Sequence, residues 1–271
     1  METDRPHPEN RRSSRGFGLA KVPQLLPADF FQGRPEPVSL CFPWTGPEEV
    51  FMPAATLDAR STELFNGIRT VVFDVVGTLI EPAPSVARAY QAAGRRQGVE
   101  LAESEIARRF SRAWARQEAA DAAARPAFAT SRQREHERWR LIVEEVFEQA
   151  PATTAIFAEL WEHFGRPASW RPVPAGCRLL EAAREAGLEV AVASNFDERL
   201  KPLARRVEPL VGIDQVFASS ELGWRKPAAE FFQAVERRLQ RRPGELLLIG
   251  DDPRLDLTAA RAAGWRSVRV G

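Results

Sequence analysis

The chain has 271 residues, 44% of them hydrophobic and 28% charged, and its 38 Lys plus Arg against 37 Asp plus Glu leave a formal net charge of +1. This is ordinary globular composition, at a length that suggests about two domains of roughly 150 residues. The near-neutral balance gives no electrostatic case for nucleic acid or an anionic membrane as the main partner. Two cysteines, Cys41 and Cys177, are too few for a four-ligand zinc site or a disulfide framework. No apolar run approaches the ~18–20 residues that span a bilayer, and the first residues lack the apolar centre of a secretory leader. A cytoplasmic protein, monomer or homodimer, is the expectation.

Residues 1–66 differ from the rest. Nine of the 21 prolines fall there, with no sustained periodicity. Proline removes backbone donors and resists regular structure, so this segment is expected to be extended or disordered. Met52 offers an alternative translation start; Phe30, Phe31, Phe42 and Trp44 would instead suit a partner-docking tail. The sequence leaves both open.

From Ile68 a β-branched run predicts a buried strand over 70–76 that enters a loop at Gly77-Thr78. Residues 85–165 then read as almost continuous helix. Ser85 can cap a first helix that stops at Gly98, and amphipathic stretches follow near 103–124, 131–149 and 153–164. Pro167, Pro172 and Pro174 close this block. Strands are then predicted at Leu188–Ala193, Gln215–Ala218, Leu246–Gly250 and Ser267–Val270, separated by helices near 176–186, 198–207, 228–240 and 255–263. Such alternation implies an α/β fold with a parallel sheet covered on both faces. The strand at 70–76 must join that sheet, which makes the helical block an insertion. The expected division is 1–66 as a Pro-rich segment, 67–84 with 173–271 as the α/β unit, and 85–172 as the helical unit.

Four short segments lie at predicted strand ends, where open α/β sheets bind ligands. They are Asp74-Val75-Val76-Gly77-Thr78-Leu79, Ser194-Asn195-Phe196-Asp197, Lys226-Pro227 and Gly250-Asp251-Asp252-Pro253-Arg254-Leu255-Asp256. Singly, each has a plain structural reading as a turn, a helix cap or a solvated charge. Together, in this order and split by a helical insertion, they resemble the haloacid dehalogenase-like (HAD) hydrolase superfamily over about residues 68–271. The resemblance is to members whose cap follows the first motif, in the branch with Asp-x-x-Gly-Thr-Leu. It implies a Rossmann-like parallel sheet core, an all-helical cap and Mg²⁺-dependent phosphoryl transfer to water from a small phosphorylated metabolite.

By that resemblance Asp74 is the nucleophile. A carboxylate can attack phosphorus and split one hard step into two. Asp74, Asp251 and the backbone carbonyl of Val76 would hold Mg²⁺. Asp252 and Asp256 would be auxiliary acids that orient water and neighbours. Thr78 would orient the nucleophile, while the Ser194 hydroxyl and the Asn195 backbone amide would hold the transferring oxygens. Lys226 would counter the negative charge of the transition state. Only Lys21, Lys201 and Lys226 are lysines, so its place in a motif is the less expected by chance.

One position departs from the family pattern. Two residues after the nucleophile, phosphatases of this kind carry a second Asp as general acid–base; here stands Val76. Such help is worth ~10²–10⁴-fold. Three readings follow: a phosphatase restricted to good leaving groups such as acyl or aryl phosphates, a 2-haloacid dehalogenase, or a phosphate- and metal-binding regulatory module without turnover. The first is preferred. The dehalogenases also lack the second Asp, but lose the leading acid of the fourth motif, and that acid, Asp251, is present here. Tyr90, His136 and His163 are candidates for a replacement proton donor from the insertion. Trp114, Trp139, Trp161 and Trp170 are expected to form core, and arginines such as Arg108, Arg109, Arg112, Arg132 and Arg134 a solvated face.

Overall fold

A computed structural model describes residues 64–148 and 150–270. The expectations for the Pro-rich segment up to residue 63, its alternative start and its docking tail lie outside the described residues. Leu64 and Phe65 already pack against the core of the α/β unit.

Among the described residues seven strands form: β1 (Thr70–Phe73), β2 (Ile80–Pro82), β3 (Trp170–Pro172), β4 (Glu189–Ser194), β5 (Gln215–Ala218), β6 (Leu246–Gly250) and β7 (Arg266–Arg269). Five make one sheet in the order β5-β4-β1-β6-β7, every pairing parallel. The fold is therefore α/β with a Rossmann-like core. Its central strands read as continuous apolar runs because both faces are covered. Val71, Phe73, Leu247 and Ile249 enter one apolar cluster, while Val72, Leu246 and Leu248 enter the cluster on the opposite face.

The insertion comprises α1 (Val86–Arg96), α2 (Glu103–Ala123), α3 (Arg132–Val146) and α4 (Thr153–Phe164). Ser85 caps α1 by accepting from the Arg88 amide at 3.3 Å, and Ser131 caps α3 through the Arg134 amide at 3.1 Å. These helices enclose an apolar cluster of their own, centred on Tyr90, Phe110, Ile142 and Ile156. The insertion leaves and rejoins the core through an antiparallel ribbon of β2 and β3, with Glu81 opposite Arg171. Their side chains pair at 2.8 Å.

In the core follow α5 (Pro174–Glu185), α6 (Leu200–Ala204), α7 (Ser219–Leu222), α8 (Ala229–Leu239) and α9 (Ala259–Ala262). Some boundaries depart from the sequence reading. β1 stops three residues early, because the chain turns at Gly77 (φ +87°) and Val76 bridges to Ile80. The ribbon of β2 and β3 was not expected: three residues per strand, with prolines, carry no periodicity. The helix expected over 198–207 is confined to Leu200–Ala204. The helix expected at 255–263 opens instead as a π-helical turn, Pro253–Thr258, a widening that recurs at functional sites.

Candidate active site

The sheet order decides where the motifs meet. β1 lies between β4 and β6, so the chain ends of three adjacent parallel strands deliver Asp74, Ser194 and Asp251 to one rim. This is the switch point of an open α/β sheet. The Asp74 amide still donates to the Ile249 carbonyl at 2.8 Å, which ties the nucleophile candidate to the sheet.

Asp74, Asp251 and Asp256 each offer a carboxylate oxygen, and these lie within 4.8 Å of one another. Lys226 Nζ donates to Asp74 Oδ1 at 2.6 Å and to Asp256 Oδ1 at 2.5 Å. Three acids thus face one ammonium. Burial opposes the charge on Lys226, but Asp256 and Asp74 outweigh it and hold its pKa above the usual lysine value. Asp251 is pushed up to about 7, by burial first and then by the charges of Asp74 and Asp256. Asp256 is pushed up to about 6 by burial, with Lys226 pulling the other way. The surplus of hard oxygen donors in one buried spot fits a divalent cation such as Mg²⁺, with Asp74, Asp251 and Asp256 as the residues that would hold it.

Two glycines make the close approach possible. A Cβ on Gly77 would stand 2.5 Å from Asp251 Oδ2, and one on Gly250 would stand 2.4 Å from Asp256 Oδ2. Gly77 also needs its positive φ.

The other motif residues make the following contacts. The Thr78 hydroxyl donates to Asp251 Oδ1 at 3.1 Å rather than to Asp74. The Asn195 side chain closes a reciprocal pair with the Lys226 backbone, accepting from its N–H at 2.7 Å and donating to its carbonyl at 3.0 Å. It thereby ties the loop that carries Lys226 to the end of β4. The Asp252 carboxylate is turned away from the acid cluster and caps the π-helical turn, accepting from the amides of Arg254 and Leu255 at 2.7 and 2.8 Å. The Asp252 amide donates to Asp256 Oδ2 at 3.1 Å, so Asp256, expected as an auxiliary group, is the third acid of the cluster. Ser194 is buried and, with Asn195 and Val76, lines the cavity above Asp74.

The haloacid dehalogenase-like hydrolase family model matches residues 68–264, a span that contains every one of these side chains. The chain belongs to that family. It is 28% identical over 209 residues to the bovine haloacid dehalogenase-like hydrolase domain-containing protein 3, covering 75% of this chain and 82% of the relative. It is 33% identical over 98 residues to the ribulose-1,5-bisphosphate 5-phosphatase of Halopiger xanaduensis, 35% of this chain and 41% of that protein. Among solved structures, the defluorinating L-2-haloacid dehalogenase Rha0230 superposes with a TM-score of 0.59 at 23% identity, covering 74% of this chain and 80% of that one. That likeness is one of fold.

In this HAD-like chain a cavity of about 200 Å³ joins the acid cluster to the interior of the helical insertion. Its floor is Asp74, Asp251, Asp256 and Lys226. Its far wall is aromatic: Tyr90, Phe110, Trp114, Trp139, Phe157 and Trp161 all contribute. Trp114, Trp139 and Trp161, expected as core, thus border the site as well as the insertion's apolar cluster, while Trp170 packs against the cluster of the α/β unit. Tyr90 reaches the cavity, and burial raises its hydroxyl pKa above the usual tyrosine value, with Arg199 acting against that rise. His136, set edge-on against Phe157 and Trp161, and His163 are not among the lining residues. Neither are Arg108, Arg109, Arg112, Arg132 and Arg134.

Sequence reasoning missed two ionic arrangements. Arg199 grips Asp197 through Nε and a terminal nitrogen at 2.7 and 2.6 Å, donates to the Trp161 carbonyl at 2.7 Å, and stacks 3.6 Å above the Trp161 ring. Arg225, next to Lys226, is buried with Glu135 of α3. Both lie next to a motif, at Ser194-Asn195-Phe196-Asp197 and at Lys226. A charged residue beside a motif was the available signal.

Proposed function

We propose that this HAD-like chain is a Mg²⁺-dependent phosphatase acting on a small phosphorylated metabolite through an aspartyl-phosphate on Asp74. The convergence of Asp74, Asp251 and Asp256 on one point beside Lys226 carries this reading. A bound Mg²⁺ would supply charge neutralisation to the phosphoryl oxygens. The set would be completed by the Val76 carbonyl. The dehalogenase reading is disfavoured by Asp251, a further acid beside Asp74 and Asp256, because displacement of a halide needs no metal ion for it to hold.

In the first step an Asp74 oxygen bonds to phosphorus as the bond from phosphorus to the leaving oxygen breaks. Lys226 holds Asp74 in place and offsets the charge of the phosphoryl group. The Ser194 hydroxyl and the Asn195 backbone amide would meet its oxygens. The leaving oxygen takes its proton from water, since Val76 can give none. In the second step a water oxygen bonds to phosphorus, the Asp74–phosphorus bond breaks, and inorganic phosphate leaves with the carboxylate restored. Without an acid at position 76, turnover is slow unless the leaving group departs as an anion. The setting proposed is the cytoplasm, with no nucleic-acid or membrane partner. Among the described residues no helix is long and apolar enough to cross a membrane.

The test is release of phosphate by the full chain with Mg²⁺ and with chelator, next to release of halide from 2-haloacids. Mg²⁺-dependent phosphate release supports the proposal. Metal-independent halide release, or phosphate binding without turnover, overturns it.

A further inference from the structure

We infer that the leaving group of the substrate is uncharged and apolar, with an aromatic ring as its best occupant. This rests on the phosphatase reading and names the substrate class for that site.

Three observations carry it. First, the acid cluster opens into a chamber whose insertion side, among the described lining residues, holds no charged side chain; its polar side chains are Tyr90 and the tryptophans. The Trp170 indole is already engaged with the Phe164 carbonyl at 3.1 Å. Aromatic faces set at varied angles, with Trp114 and Trp139 5.7 Å apart and tilted by 54°, suit a flat ring by edge and face contacts.

Second, the cations among the lining residues are Lys226 and Arg199, and both are matched. Lys226 faces Asp74 and Asp256, and Arg199 is held by both oxygens of Asp197 and by the Trp161 ring. A second phosphate or a carboxylate on the substrate would enter a chamber with no unmatched cation among its described lining residues. Burying an unpaired charge is far more costly than burying an apolar group. Bisphosphates and phosphorylated acids are therefore disfavoured.

Third, size and reactivity agree. A lined apolar cavity of about 150 Å³ takes up benzene, so about 200 Å³ admits a ring beside the phosphoryl group. Val76 adds an apolar surface to the cavity that Asp74 also lines, and an aryl oxygen leaves without a proton more readily than an alkyl one.

Ring recognition must be separated from leaving-group reactivity. The full chain with Mg²⁺ is assayed on benzyl phosphate, glycerol 3-phosphate and phosphoglycolate, all with alkyl leaving oxygens. In parallel, tryptophan fluorescence is titrated with the non-hydrolysable benzylphosphonate and phosphonoacetate. The expected result is kcat/KM at least tenfold higher for benzyl phosphate and binding at least tenfold tighter for benzylphosphonate. Trp139→Gln is expected to cut the benzyl-to-glycerol ratio severalfold. If phosphate is released but glycerol 3-phosphate or phosphoglycolate is preferred, the apolar inference falls and the phosphatase reading stands. If nothing is hydrolysed, the phosphatase reading falls, and the titration alone decides: a tenfold preference for benzylphosphonate upholds the chamber's role, and equal or reversed affinity overturns it.

Discussion

Glu135 and Arg225 meet across the boundary between insertion and core, with both Glu135 oxygens 2.7 Å from one guanidinium nitrogen and both side chains buried. Glu135 sits on α3, and Arg225 immediately precedes Lys226. Around them the Ala129–Trp224 bridge and the Arg225 amide bonded to the Phe128 carbonyl at 3.0 Å fasten the same two segments. Glu118 and Asp121 of α2 add further charge, pairing with Arg225 and Arg138.

Removing Glu135 takes away the nearest acid of Arg225 and leaves Glu118 and Asp121 at 3.4 and 3.7 Å; loss of a hydrogen bond to a buried charged group costs roughly 1.5–3 kcal/mol. Glu135→Gln is therefore expected to lower stability by about that amount in urea unfolding. It is also expected to lower kcat more than it changes KM, because Arg225 steers the segment that carries Lys226. Unchanged stability and kcat would show that the remaining acids suffice.

Asp74→Asn keeps the shape of the side chain and removes its nucleophilic charge. Phosphate release is expected to fall by at least about 10³-fold with the far-UV circular dichroism unchanged. Residual activity near wild type would move the nucleophile elsewhere.

Val76→Asp restores a proton donor beside the leaving oxygen. Turnover of alkyl phosphates is expected to rise by about 10-fold or more, within the range that general acid–base help supplies. Aryl phosphates should gain less. No gain in a folded variant would mean that the proton comes from another group.

Acidity and metal binding should be linked. In the unfolded chain Asp251 and Asp256 ionise near the ordinary value of about 3.9, whereas in the fold they are pushed up to about 7 and about 6. Between these limits the folded state holds more protons than the unfolded one, so metal-free stability falls as pH rises from about 4 to 7. Metal binding needs the ionised acids, so it strengthens over the same window. The rise in Tm on adding Mg²⁺ is expected to be larger at pH 8 than at pH 5.5. A rise independent of pH would place the ion away from these acids.

The core and the strand-end chemistry were legible because their signals are local. β6 is five consecutive buried residues, Leu246–Gly250, followed at once by Asp251, and Ser85 and Ser131 mark helix starts by their position alone. The partners across the site were less so. Whether Thr78 serves Asp74 or Asp251 depends on a turn at Gly77, and the promotion of Asp256 depends on a π-helical turn that has no sequence periodicity. Glu135 and Arg225 stand 90 residues apart, and each reads as an ordinary surface charge until the fold buries it. The tryptophans carry the spacing of core residues, and core they are on one side; that their other side borders a cavity is a property of the gap, which no single helix encodes.

The central place of β1 has a consequence for how the molecule comes into being. Thr70 and its β4 neighbour Glu189 are 119 positions apart along the chain, and its β6 neighbour is farther still. The helices of the insertion, by contrast, pack chiefly on their own sequence neighbours. Contacts at short separation close quickly and those at long separation slowly. The helical insertion can therefore take shape while β1 still waits unpaired, and the acid cluster becomes whole only when the last hundred residues arrive. An interrupted chain would have the aromatic chamber's roof without the ions' floor.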